Sequence, residues 1–160
     1  MNLLGNILGE VCKTIFPITE EVYLGNPKSS ISICTLSSIS LLKNIANSDL
    51  MNEINLAGRL LSENKGIDSI IRYVNSNQNI RTLIVCGKEV SGHKSGKSLL
   101  DLYRNGIHND GRIINSTSPD PTLTVTQNEV EKFRSKVRII NKIGVTNLEE
   151  ITKVVKSIKN

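Results

Sequence analysis

The run at residues 80–87, IRTLIVCG, limits what this chain can fold into more than any other feature, because Leu83, Ile84, Val85 and Cys86 follow one another without a polar break. An amphipathic helix or a half-exposed strand would interrupt such a run with polar residues, whereas a parallel strand covered on both faces would not. The run therefore reads as the centre of an α/β sheet. A loop rich in Gly and Ser follows and leads to a helix over residues 98–105, with Gly106 where a helix end wants a left-handed residue.

The flanking patterns agree. Ile67, Ile70, Ile71 and Val74 repeat at i, i+3, i+4 and i+7, which gives an amphipathic helix ended by Asn77-Gln78-Asn79. Residues 30–36, SISICTL, form the first strand, and a helix through Leu41, Leu42 and Ile45 comes next. Residues 51–61 fit a short strand or a helical turn equally well. Residues 112–115 read as another short strand.

Thr126 with Glu129 is a capping box, here for a long helix through Val130, Phe133, Val137 and Ile140 that Gly144 terminates. Asn147 with Glu150 opens a last helix carrying Ile151, Val154, Val155 and Ile158. Residues 1–28, which contain Pro17 and the turn Gly25-Asn26-Pro27, read as a short helix or an arm packed on the domain. Strands alternating with helices imply a Rossmann-like α/β fold, an open, mostly parallel sheet with helices on both faces. The 160 residues suit one domain.

No uncharged apolar run approaches the roughly 20 residues that cross a bilayer, and the start lacks a basic segment with a cleavage site, so a cytoplasmic protein without direct membrane insertion is expected. Cys12, Cys34 and Cys86 are odd in number and contain no CxxC pair, which reads as buried reduced thiols. A net charge of +5 raises nucleic acid as a partner. The basic residues are scattered, however, and three Tyr, two Phe and no Trp leave little to stack on bases.

Open α/β sheets bind ligands beyond the carboxyl ends of their strands, where residues 87–98, GKEVSGHKSGKS, should lie. Two chemistries fit that loop. Gly92 to Ser98 looks like the phosphate loop GxxxxGK[ST], but it is one residue short, with Ser91 where the first Gly belongs, and no apolar strand ends in an Asp for magnesium. The other chemistry is metal ligation by His93. A lone His makes a poor metal site, because no second ligand stands at a suitable spacing. That objection falls for a cofactor such as cobalamin, whose corrin ring fills the equatorial positions itself.

The segment Asn79-Ile80-Arg81-Thr82-Leu83-Ile84-Val85-Cys86-Gly87-Lys88-Glu89-Val90-Ser91-Gly92-His93-Lys94-Ser95-Gly96 resembles the signature NIRxLxxCGxEVxGHxxG of the A subunit of tetrahydromethanopterin S-methyltransferase from methanogenic archaea. Tyr23-Leu24-Gly25-Asn26-Pro27, Cys34-Thr35-Leu36, Glu63-Asn64-Lys65-Gly66-Ile67 and Gly111-Arg112-Ile113-Ile114 also resemble family segments, so the likeness covers roughly residues 20–145. The resemblance implies one component of a methyltransferase complex rather than a complete enzyme. It would carry cobalamin, in methanogens a 5-hydroxybenzimidazolyl-type cobamide, with His93 as the lower axial ligand of cobalt. The methyl group would pass from methyl-tetrahydromethanopterin through cobalt to coenzyme M, with other subunits of the complex as partners. The cofactor would contact Thr35, Gly87, Glu89, Ser91, Gly92 and His93, together with Gly96, Ser98, Ser116 and Thr117. Ser91 stands where other cobalamin methyltransferases have an Asp behind the histidine, so support for His93 is expected from Ser91, Glu89 or a backbone carbonyl. His108, in the turn after Gly106, should lie at the far end of the helix.

Three features depart from the family pattern: Lys97 replaces a Gln, residues 116–121 replace a GAIPF-type loop, and the family's terminal transmembrane helix has no counterpart before Asn160. Two function classes stand: a methyl-carrying corrinoid protein, or a soluble paralogue that kept the fold for binding or regulation.

Overall fold

A computed structural model describes residues 21–159. The amino-terminal arm or helix expected at residues 1–28 falls outside the described residues up to Glu20, as does Cys12. From there five strands form one sheet: β1 (Val22–Leu24), β2 (Ile31–Cys34), β3 (Leu56–Gly58), β4 (Thr82–Gly87) and β5 (Arg138–Ile143), in the order β1-β3-β2-β4-β5. Only β1 is antiparallel to its neighbour; the β3–β2, β2–β4 and β4–β5 pairs are all parallel. The sheet is the open α/β arrangement expected from the sequence.

β4 is internal, paired on both sides, and all its residues are buried. Its side chains divide with period two: Leu83 and Val85 join one core cluster, Ile84 and Cys86 the other. Helices α2 (Lys65–Ser76), α3 (Ser95–Asn105) and α4 (Gln127–Lys136) cover the first face, through Ile67, Ile71, Leu99, Leu102 and Phe133 among others. Helices α1 (Ile39–Ala46) and α5 (Leu148–Lys159) cover the second, through Leu41, Leu42, Ile45, Ile151 and Val155. Helices thus flank the sheet on both faces.

The segment with two readings resolves into a 3-10 turn (Asp49–Asn52) followed by β3. Two expectations fail. The helix expected to run through Ile140 stops at Lys136, and the chain continues as β5, parallel to β4 along its whole length. Helical spacing from Val130 to Ile140 conceals the β-branched cluster Val137, Ile139, Ile140 and Ile143, which strand geometry suits better. Gly144, with φ of +95°, therefore ends a strand. Residues 112–115 likewise form no strand of the sheet; Ile113 and Arg112 make only isolated bridges, to Ile107 and Thr122. The space beside β4 that they would have occupied belongs to β5.

The capping box opens α4 as expected, with Glu129 N–H donating to Thr126 Oγ1 at 3.2 Å and Thr126 N–H donating to the Glu129 carboxylate at 2.7 Å. Replacing Thr126 with Ala should cost about 1 kcal/mol. Urea denaturation should show this as a lower midpoint with an unchanged slope.

The strand order places the functional end. From β2 the chain turns outward to β3, then crosses back over β2 to β4 and on to β5, so connections leave β2 and β4 toward opposite faces. A crevice opens at such a switch point, outside the carboxyl ends of the strands.

Candidate functional site

The loops after β2 and β4 meet at that crevice. Gly87 ends β4 with φ of +79°, and a Cβ there would lie 2.1 Å from Thr35 O. Glycine is what lets the two loops touch. Thr35 is fully buried, and its N–H donates to Gly58 O at 2.8 Å.

Beyond Gly87 the chain makes a tight exposed turn in which His93 N–H and Lys94 N–H both donate to Val90 O. Gly92 and Lys94 take positive φ values of 80° and 50°, and α3 begins at Ser95, earlier than the sequence indicates. Ser91, Gly92 and His93 are exposed together at the tip.

Glu89 folds back onto the start of α3. Its carboxylate accepts from Val90 N–H at 2.8 Å, Gly96 N–H at 2.9 Å and Lys97 N–H at 2.8 Å. A carboxylate at a helix amino terminus neutralises the amides and dipole that would otherwise draw an anion. The phosphate reading fails on this geometry, because the chain's own carboxylate holds the cradle. Lys97 faces sideways to Asp101, 2.9 Å away. Gly96 serves the same packing, since a Cβ there would come within 3.0 Å of Glu89 Oε2 and 2.8 Å of Leu36 Cδ1.

His93 is anchored from elsewhere. Its Nδ1 lies 2.8 Å from Glu63 Oε2, with the His side chain 56% exposed and the Glu side chain 2%. Glu63 Oε1 accepts from Asp120 N–H at 3.0 Å, and Asn64 Nδ2 donates to Asp120 O at 3.2 Å. Burial pushes the Glu63 carboxyl up, but hydrogen bonds from its own amide, Asp120 N–H and His93 outweigh this and hold it below the usual carboxylate range. An ionised carboxylate only accepts, so Nδ1 carries the proton and Nε2 keeps its lone pair. The support expected from Ser91, Glu89 or a carbonyl is thus supplied by Glu63: Glu89 is engaged with α3, and Ser91 lies exposed at the tip.

The loop at residues 116–121 packs beneath the same turn. Ser98 Oγ lies 2.7 Å from Ser116 Oγ and 2.5 Å from Ser118 Oγ, and Ser118 Oγ donates to Lys94 O at 3.3 Å. Thr117 stands exposed between them. His93, Glu63, Ser98, Ser116 and Ser118 are therefore one cluster, with Gly87 and Thr35 forming the neighbouring wall of the crevice. His108 lies past the opposite end of α3, its N–H donating to Arg112 O.

Among the described residues no group of three or more His, Cys, Asp or Glu could hold a metal ion. Thiol chemistry is also remote, because burial pushes the Cys86 thiol up. One imidazole with a fixed tautomer on an exposed turn is what the arrangement offers. It fits a metal centre that needs one axial nitrogen.

A family model described as the A subunit of tetrahydromethanopterin S-methyltransferase matches residues 10–160. The chain belongs to this family. The A subunit of the Mtx methyltransferase of Methanosarcina barkeri is 38% identical over 147 residues, covering 91% of this chain and 71% of that protein. The tetrahydromethanopterin S-methyltransferase A subunit of Methanocaldococcus jannaschii is 34% identical over 143 residues, covering 89% of this chain and 57% of that protein. Its counterpart from Methanothermobacter marburgensis is 35% identical, covering 88% and 58%. The chain thus spans little more than half the length of these last two relatives. Among the described residues no helix is long and apolar enough to cross a membrane.

Proposed function

We propose that this family member is the corrinoid carrier of a methyltransferase, binding cobalamin in the crevice with His93 as its lower axial ligand. The observation that carries the reading is the buried Glu63 holding His93 Nδ1 while Nε2 stays open on a mostly exposed side chain. Cobalamin, when bound, supplies a cobalt centre that takes up a methyl group and passes it on, here from methyl-tetrahydromethanopterin to coenzyme M. Glu63 fixes the imidazole tautomer and raises the basicity of Nε2. The turn around Gly92 lets the ring approach or withdraw without disturbing β4, and the serine cluster under Lys94 keeps the base of the turn in place. The exposed tip leaves the face above His93 accessible to other subunits, the expected partners of a cytoplasmic carrier.

The test is the cobalt(III) absorption spectrum of added cobalamin with the wild type, His93→Ala and His108→Ala. The wild type and His108→Ala should bind the cofactor and shift its bands, and acid should reverse the shift because a protonated imidazole cannot ligate. A His93→Ala protein with an unaltered spectrum and acid transition would reduce His93 to a loop residue.

A further inference from the structure

Away from the His93 loop, a groove of about 290 Å³ runs between the β1–β3 edge of the sheet and α2. The strand register builds its floor. Val22 stands opposite Gly58, and Leu24 opposite Leu56, which in turn faces Ser32 across the β3–β2 pair. Gly58 leaves the floor low, since a Cβ there would already press on Val22 at 3.2 Å. Ile70, Tyr73 and Val74 of α2 form the wall. Val22 and Leu24 remain 51% and 74% exposed.

The polar atoms along this groove are of two kinds. Ser69 and Tyr73 are already paired, the first donating to Lys65 O and the second to Asn55 Oδ1. Ser32 Oγ and Arg59 Nε are buried and have no hydrogen-bond partner among the described residues. Ser32 is only 2% exposed, and because its neighbours Ile31 and Ile33 pack into the opposite core cluster, it faces the groove side of the sheet. Buried donors without partners are uncommon enough in folded proteins to need a cause. Two such donors on one carbon-lined groove ask for an acceptor that carries an apolar body.

We propose that this groove binds a small aliphatic carboxylate, its chain lying along Leu24, Leu56 and Ile70 and its head group accepting from Ser32 and Arg59. A carboxylate only accepts, so it brings no donor that would itself be stranded. Its single charge matches the single guanidinium. The site shares no lining residue with the His93 crevice and is independent of what binds there.

The probes are octanoate, 1-octanol with a similar chain but no charge, and acetate with the head group alone, each titrated into the whole chain by calorimetry and by methyl NMR. Octanoate should bind saturably and shift the methyl signals of Leu24, Leu56 and Ile70. The two control molecules should bind at least about tenfold more weakly, and Arg59→Gln and Ser32→Ala should each weaken octanoate about tenfold. Without ligand, Ser32→Ala should be as stable as the wild type or more so, because it deletes an unpaired buried hydroxyl. Octanol binding as well as octanoate, an Arg59→Gln protein with undiminished affinity, or no saturable binding at millimolar octanoate would each overturn the proposal. The last result is also what a groove filled by residues 1–20 or by a second copy of the chain would give.

Discussion

Replacing Glu63 with Ala should destabilise the domain by about 2–4 kcal/mol and weaken any metal centre held through His93 by roughly 10–100-fold. The substitution removes a buried carboxylate that accepts from the Asp120 amide and from His93, and it strands at least the amide in a site with little access to water. It also frees His93 to exchange tautomers, which puts the proton on Nε2 for part of the time. Glu63→Gln separates these effects. The amide oxygen can still accept from Asp120, so most of the stability should return, while the weaker pull on Nδ1–H should leave ligation impaired. Thermal denaturation of the three proteins, read beside their cobalamin spectra, checks both halves. Equal stability of Glu63→Ala and the wild type would show that the buried pair contributes nothing to the fold.

The same carboxylate sets a pH dependence. Its pKa in the folded protein lies below the 4.5 of the free group, so its contribution is complete above about pH 4.5 and is lost as pH falls through the folded value. The wild type should therefore lose stability in acid faster than Glu63→Gln, and the two curves should run parallel toward neutral pH.

Local signals carry much of this fold. β4 is legible because four consecutive apolar residues have few other homes, and α2 because its Ile and Val residues fall on one helical face. The capping box places the start of α4 correctly, yet nothing local marks its end: Val137 and Ile140 continue the helical spacing while lying beyond the last helical turn. Only the pairing with β4 decides that stretch, and pairing is a tertiary fact. The site divides in the same way. His93 stands out on its Gly-flanked loop. Glu63 does not, because it lies 30 residues away at the head of α2, and no spacing rule ties a buried acid there to a histidine after β4. Its place within the Glu63-Asn64-Lys65-Gly66-Ile67 segment is the available hint. Glu89 has the sequence position of a residue facing a ligand, whereas the helix it precedes takes up its acceptors.

Gly87→Ala should be among the most damaging single substitutions the site can suffer, at about 3 kcal/mol or more, whereas Gly92→Ala should cost about 1 kcal/mol. Both glycines have φ near +80°, so both incur the same left-handed penalty when a Cβ is added. Their surroundings differ. A Cβ on Gly92 would meet nothing within 4 Å, but one on Gly87 would lie 2.1 Å from Thr35 O and 2.9 Å from the Ser38 side chain. Backbone cannot swing aside as a side chain can, so the Gly87 variant must part the loops after β2 and β4. Ser37 Oγ donates to Lys88 O and Lys88 N–H donates to Ser38 Oγ across that junction, and both bonds would be strained or lost. Denaturation midpoints of the two variants measure the difference directly. If Gly87→Ala cost no more than Gly92→Ala, the loops would have to yield readily, and the crevice would lack the rigid seam that the contact of Gly87 with Thr35 gives it.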